Sequence, residues 1–594
     1  MKSLLPKQNC SRKRRNACVT GSGGLQTAGR GATHPSIESH LDAQNQKRRD
    51  FVASGGLETA PPSYRTRSFL GRGIFGNALA LTLGITATTG AAAPSDNPKS
   101  PIQNPQSLNV LLFTADDMGW FSVAAMHSPA HTPDVTSNID RFATQSMAFQ
   151  RAHVTVAICQ PSRGALGTGM YPHVSGVEGF NPVPRPTKTV MSEFRDHGYR
   201  TGILGKCMHS TPDASFVWDM RHDTNELGHG RNPQKYADYF REFVRDCKKA
   251  GKPFYFMCNS HDPHRPFCGA ERDLDWRRHA PDYPLPSRVF KPSEIVVPGF
   301  LPALPEVREE MAQYCSSARR CDDTFGAVMQ VLDEEGLAGN TLVVFLSDNG
   351  MSAPFSKSCA YYNSTRTPLL VRLPGVTKPG STDDAHFVSG IDYMPTVLDA
   401  CGFTPPAGLN GRSFLPLLRG EPQEGRERVF TQFYENAGPR RYPMFTVQDA
   451  SYILIYNPWS DGKYGFWDEP LSGLSFPAMS KAARTDAFIR SRVKLMRYRV
   501  PLELYDIQKD PDALRNLATD PAHADVLRRM SAQLKDWMKQ YDPTPLPAFA
   551  SFPSEKERGV YMTAQLQIAA SIKAAKSAAK TQKGKTTKAD DSED

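Results

Sequence analysis

Three short apolar runs, each ending in residues with oxygen or imidazole donors, constrain this chain more than any other feature. Residues 108–114 (LNVLLFT) lead into Asp116 and Asp117. Residues 254–259 (FYFMCN) lead into His261, Asp262 and His264, and 341–346 (TLVVFL) into Asp348 and Asn349. A continuous apolar run of this length reads as a strand buried on both faces. A further run, 367–372 (TPLLVR), reads as another strand. Helices are expected at 138–147, 163–170, 187–197, 306–335 and 391–400. Strands alternating with helices predict an α/β fold, a large, mostly parallel sheet flanked by helices. In such sheets ligands bind outside the carboxyl ends of the strands, where these runs deliver acids, an amide and imidazoles.

The chain has 594 residues, enough for more than one domain. From about residue 425 the texture changes. Residues 427–457 and 490–510 hold the strand-like runs RVFTQFY, SYILIYN and KLMRYR, and a charged helix is expected at 522–540. This predicts a smaller C-terminal α+β domain over 425–541, beside a catalytic domain over 108–424. Residues 94–107 are a Pro/Ser/Asn linker, and 542–594 read as a linker followed by a Lys-rich disordered tail.

The net charge is +10, from 71 Lys and Arg against 61 Asp and Glu, and part of the excess sits at the ends. Basic runs occur at residues 12–15 and 47–49, and six Lys lie between Lys573 and Lys588 with no acid among them. No nucleic-acid recognition module accompanies them, so nucleic acid is not an expected partner and the ends read as solvated segments. Residues 1–64 read as a disordered basic leader, or as a stretch upstream of the true start. In 65–93, Arg65, Arg67 and Arg72 precede an apolar stretch and Ala91–Ala93. That is the layout of a secretory signal, and it predicts export to the periplasm or beyond. The alternative is a linker or a weak buried helix.

Asp116, Asp117, Asp348 and Asn349 are hard oxygen donors of the kind calcium or magnesium takes in sets of six or more. Asp116 and Asp117 alone also fit an Asp-rich turn. The second strand end favours a metal, because unpaired burial of carboxylates is costly. Cys159-Gln160-Pro161-Ser162-Arg163 precedes the small-residue stretch GALGTGM. A Cys at a helix N-terminus sits in a positive field, and Arg163 can hold an oxyanion; a buried structural Cys is the alternative. Of eleven Cys, none forms a CxxC pair.

The CxPSR segment after Asp116-Asp117-x-Gly resembles that of the type I, formylglycine-dependent sulfatases, of alkaline-phosphatase-like fold. Gly205-Lys206, His261-Asp262-Pro263-His264-Arg265-Pro266, Asp348-Asn349-Gly350 and Leu504-Tyr505-Asp506 extend the resemblance over about residues 108–540. It implies that a maturation enzyme, formylglycine-generating or anaerobic, converts Cys159 to formylglycine. It further implies that Asp116, Asp117, Asp348 and Asn349 bind one calcium ion, or magnesium, with residue 159. The hydrated aldehyde attacks sulfur, carries the sulfate covalently and releases it through its second hydroxyl. Arg163 and Lys206 match the cationic partners of diol and sulfate, and Lys357 is assigned to substrate sulfate. His264 matches the general acid, and His261 and Arg265 are candidate substrate contacts. Many sulfatases read Gly-Lys-x-His, whereas this chain has Gly205-Lys206-Cys207-Met208-His209. That longer spacing resembles the iduronate-2-sulfatase branch and gives His209 the role of steadying the diol. The HDPHR segment resembles heparan N-sulfatase. Both branches imply a sulfated carbohydrate, with O- or N-sulfate left open. The competing functions are a phosphonate monoester or phosphodiester hydrolase of the same superfamily and an inactive sulfoglycan-binding protein. In an oxidising compartment Cys315, Cys321, Cys359 and Cys401 are candidates for disulfides.

Overall fold

The computed structural model describes residues 108–183 and 187–590. The leader, the signal-like segment and the linker before Leu108 lie outside the described residues.

The strand Asn109–Asp116 is central because its side chains are apolar on both faces. Leu111 and Phe113 enter one hydrophobic core, and Val110 and Leu112 enter the other. It pairs in parallel with Phe254–Pro263 on one side and Thr341–Ser347 on the other. The eight-stranded sheet runs, in spatial order, Met220–His222, Arg200–Leu204, Phe254–Pro263, Asn109–Asp116, Thr341–Ser347, Leu369–Arg372, Met147–Phe149 and Ser381–Asp383. The first five are mutually parallel, whereas Leu369–Arg372 runs antiparallel to both its neighbours. The three apolar runs singled out in the sequence are therefore adjacent and parallel, and their polar ends open on one edge.

Helices cover the sheet, among them Cys159–Thr168, Pro233–Ala250 and the 30-residue Pro305–Glu334. Pro233–Ala250 starts on Asn232, whose side chain accepts from two backbone N–H groups, and ends at Gly251 in a left-handed conformation. The second domain is a four-stranded antiparallel sheet of Arg428–Glu435, Arg441–Asp449, Tyr452–Tyr456 and Leu502–Asp506, with helix Ala524–Tyr541 packed on it. A bridge between Val156 and Gln432 ties it to the first domain just before Cys159.

Three sequence expectations are corrected. KLMRYR is not a strand: it lies in helix Ala487–Tyr498, capped by Asp486 accepting from the Ile489 N–H. Ile489, Arg492 and Met496 are its buried residues, a helical spacing that the short apolar run obscured. The stretch expected as linker and disordered tail over 542–594 instead forms helices Leu546–Ala550 and Glu555–Asp590. Its Ala- and Lys-rich composition has high helix propensity. Tyr561 and Gln565 are buried, and Lys576 Nζ donates to Phe180 O at 3.2 Å. The four candidate disulfide cysteines are all free and buried. Cys315 and Cys321 share one helix six residues apart, a rise of about 9 Å that no disulfide spans. Among the described residues, no helix is long and apolar enough to cross a membrane.

Candidate active site

The site forms where the three parallel strands end. The pairing of Asn109–Asp116 with Phe254–Pro263 slips between Thr114 and Asp116. The chain then turns through Asp117 at φ 67°. A non-glycine residue in this left-handed region is strained, of order 1 kcal/mol, and such strain collects at functional positions. The turn buries both carboxylates completely. The neighbouring strand adds Asp348, whose Oδ1 accepts from the Asp117 N–H at 3.1 Å, and Asn349, whose Nδ2 donates to Asp117 Oδ1 at 2.8 Å.

Cys159 is the first residue of its helix, behind Ile158 in extended conformation. One donor atom from each of Asp116, Cys159 and Asp348 lies within 4.8 Å of the others, and the same holds for Asp117, Cys159 and His264. Burial pushes the Cys159 thiol well above its ordinary range, against the opposing pull of Lys357. As an unmodified side chain it is a poor thiolate.

Three cations surround these groups. Arg163, one turn along the helix from Cys159, contacts Asp348 Oδ2 through Nη2 at 2.8 Å and Nε at 2.9 Å. Its Nη1 donates to Thr114 Oγ1 at 2.7 Å and Asn259 Oδ1 at 2.9 Å. Lys206 pairs with Asp116 Oδ2, and Lys357 Nζ lies 2.6 Å from Asp117 Oδ2. Burial alone would raise the Asp116 carboxyl; Lys206, His264 and Arg163 outweigh it and hold it well below the usual range. Asp348 goes the other way, pushed up to about 8 because burial, aided by Asp116 and Asp117, outweighs the lowering by Arg163. Three carboxylates, all fully buried, are packed here against three cations. Asn349 Oδ1 is buried with no hydrogen-bond partner among the described residues. These oxygens fit a divalent cation, which takes oxygen donors of this kind.

The histidines are held in distinct ways. His264 Nδ1 donates to Arg265 O at 2.7 Å, which leaves Nε2 on the pocket side, 3.9 Å from Asp117 Oδ2. The loop that carries it is locked by Asp262, clamped by Arg320 and Arg231 at 2.7 Å each, and by Arg231 Nη2 donating to His264 O at 2.8 Å. His261 Nε2 accepts from the Lys206 N–H at 3.1 Å and so supports Lys206 from behind. Gly230 and Gly205 make this possible: a Cβ on Gly230 would overlap the His261 ring, and one on Gly205 would strike Asn259 O. His209 stands edge-on to Phe180 at 5.3 Å, and burial together with Lys206 pushes it down to about 3, so it is neutral. Arg265 is committed elsewhere, to Glu310 Oε1 at 2.7 Å and Ser352 O at 2.8 Å.

The structure thus brings together Asp116, Asp117, Cys159, Arg163, Lys206, His264, Asp348, Asn349 and Lys357, with His209 beside them and His261 behind. Sequence reasoning missed Thr114 and Asn259, which hold Arg163, and Glu469, whose Oε2 lies 2.6 Å from Lys357 Nζ and 3.6 Å from His264 Nε2. Asn259 ends the FYFMCN run and was readable there; nothing in its sequence neighbourhood signals Glu469.

The sulfatase family pattern matches residues 108–403, and the pattern for the C-terminal part of N-sulphoglucosamine sulphohydrolase matches 350–470. Human N-sulphoglucosamine sulphohydrolase is 30% identical over 476 residues, covering 73% of this chain and 91% of that protein. A protein solved in complex with its substrate D-glucosamine-2-N,6-O-disulfate superposes with a TM-score of 0.53 at 19% identity, over 74% of this chain and 98% of the other. The phosphonate monoester hydrolase of Agrobacterium radiobacter superposes with a TM-score of 0.53 at 18% identity, over 73% and 96%. These two structures share the fold, whereas the human relative is close enough to share the family. The chain belongs to the sulfatase family, with a C-terminal domain of the N-sulphoglucosamine sulphohydrolase type.

Proposed function

We propose that this chain hydrolyses sulfate esters or sulfamates on a sulfated carbohydrate, after Cys159 has been matured to formylglycine and with one divalent cation, calcium in preference to magnesium. The observation that carries this reading is Cys159 at its helix start, within 4.8 Å of the Asp116 and Asp348 oxygens, with Lys206 on Asp116 and Lys357 on Asp117.

Asp116, Asp117, Asp348 and Asn349 would hold the cation, which supplies positive charge to sulfuryl oxygens. A formylglycine at 159 supplies a hydrated aldehyde, a nucleophile with a second hydroxyl for expelling sulfate. The remaining work falls to side chains. Lys206 and Lys357 present ammonium groups to the sulfate, preorganised by the carboxylates they already touch. Arg163, fully buried and held by Asp348, Thr114 and Asn259, orients Asp348 and the start of the residue-159 helix. His264 presents Nε2 to the leaving group and protonates it as the S–O or S–N bond breaks. His209, neutral and half-buried, would steady the hydrated group at residue 159 by hydrogen bonding. Export belongs to the same proposal, and the signal-like layout of residues 65–93 is what supports it.

The fold shared with a phosphonate monoester hydrolase supports a second reading, because the same cations and metal ligands serve a phosphate centre. The test is parallel turnover of matured protein on D-glucosamine-2-N,6-O-disulfate, 4-nitrophenyl sulfate and a phosphate diester. The proposal expects sulfate release with the higher kcat/KM. Phosphodiester hydrolysis without sulfate release would replace it with the second reading.

A further inference from the structure

Glu469 comes from the second domain, on a single turn Glu469–Leu471, and reaches the rim of the buried cluster. Its Oε2 serves Lys357 and His264. Its Oε1 is buried and has no hydrogen-bond partner among the described residues. The side chain as a whole remains 28% exposed. Two residues earlier Trp467 is 48% exposed, although it is a large aromatic. Its backbone is fixed by Asn436 Nδ2 donating to Trp467 O at 2.9 Å, and Arg497 lies 5.6 Å from the ring centre.

A carboxylate at the mouth of an anion site works against the anion. Its use must lie with another part of the substrate. An ionised carboxylate only accepts hydrogen bonds, so the group that satisfies Oε1 has to be a donor. On a sulfated sugar the donors are the ring hydroxyls and amines next to the sulfate. The exposed indole of Trp467, two residues earlier in the chain, offers a rigid apolar face that a sugar ring can cover.

We propose that Glu469 and Trp467 form a carbohydrate-recognition subsite, in which Glu469 accepts a hydrogen bond from a hydroxyl or amine of the sugar that bears the sulfate, and Trp467 packs on that ring. This rests on the reading of the pocket as a sulfate site. It makes the second domain the part that distinguishes a sugar sulfate from sulfate alone.

Binding tests it separately from turnover. In the full chain carrying Cys159→Ala, affinities for D-glucosamine-2-N,6-O-disulfate and for inorganic sulfate are measured by calorimetry, with and without Glu469→Gln. The proposal expects Glu469→Gln to weaken the sugar on the order of 10- to 100-fold, the range for a lost charged hydrogen bond. Inorganic sulfate should bind as well or better, because a negative charge has been removed. If both ligands tighten together, Glu469 is only a counter-ion for Lys357 and the proposal fails. It fails equally if neither affinity changes, or if the parent protein does not prefer the sugar. Mono-O-methyl and N-methyl derivatives of the same sugar, bound to the Cys159→Ala protein, give an answer that survives misfolding of the Glu469 variant: masking at least one donor must weaken binding about tenfold or more. Equal binding of all derivatives would overturn the subsite. Glu469-dependent sugar binding without turnover by matured protein would instead sink the hydrolase reading alone.

Discussion

Arg163 closes on Asp348 through two nitrogens of one guanidinium, Nη2 at 2.8 Å and Nε at 2.9 Å, and so joins the helix begun by Cys159 to the end of the strand Thr341–Ser347. Both side chains are essentially inaccessible to solvent. The pair fixes the distance between the start of the Cys159 helix and Asp348, one carboxylate of the proposed metal site. Removing the arginine leaves an uncompensated buried acid, at a cost of about 3–5 kcal/mol. Arg163→Ala should lower the denaturant midpoint accordingly, and Arg163→Lys should recover only part, because one ammonium cannot reproduce the fork. A midpoint unchanged by Arg163→Ala would show that the pair holds nothing in place.

The carboxylates and Asn349 predict a bound divalent cation. Calcium should raise the thermal midpoint of metal-stripped protein, by the equivalent of about 2.7 kcal/mol at a hundred times Kd. Asp117→Asn should weaken this response and lower activity, because one anionic ligand is lost. Elemental analysis that finds no divalent metal, together with activity indifferent to strong chelation, would contradict the prediction.

In the proposed mechanism His264 protonates the leaving group through Nε2. Its loss should therefore matter most where the leaving group is a poor one. His264→Ala should reduce kcat on a sugar sulfate roughly 100- to 10,000-fold. The loss on 4-nitrophenyl sulfate, whose phenolate leaves without help, should be much smaller. Equal losses on both would assign His264 to positioning.

Export is checked at the chain's own N-terminus. Mature protein from the native host should begin near residue 94, after the small-residue run Ala91–Ala93. Mature protein that retains residues 1–60 would contradict it.

Much of this site was legible because its chemistry sits at the ends of buried strands. The apolar runs before Asp116 and Asp348 announce strands inaccessible to water, and acids are not left at such ends without partners. Strand direction is less legible. Leu369–Arg372 has the same apolar texture as its parallel neighbours but runs antiparallel to them, since side-chain periodicity carries no polarity. The run KLMRYR, residues 494–499, reads as a strand although it falls at the end of helix Ala487–Tyr498, because six residues are too few to separate a period of 2 from one of 3.6. Lys206 and Lys357 needed the family resemblance, because a lone Lys in a loop carries no pattern. Glu469 stood outside both kinds of signal. It reaches the pocket through tertiary structure alone, 112 residues after Lys357.

The central claim is that residue 159 acts as formylglycine and not as cysteine. Mass spectrometry of the peptide containing residue 159, from a preparation with measured sulfate release, tests it most directly. A carbonyl-trapping reagent is included because the aldehyde is about 18 Da lighter than Cys while its hydrate nearly coincides with it. The account predicts that trapped aldehyde at residue 159 rises in proportion to specific activity across preparations with different degrees of maturation, and that Cys159→Ala abolishes turnover while the protein remains folded. Full sulfate release from protein whose residue 159 is entirely unmodified cysteine would contradict it.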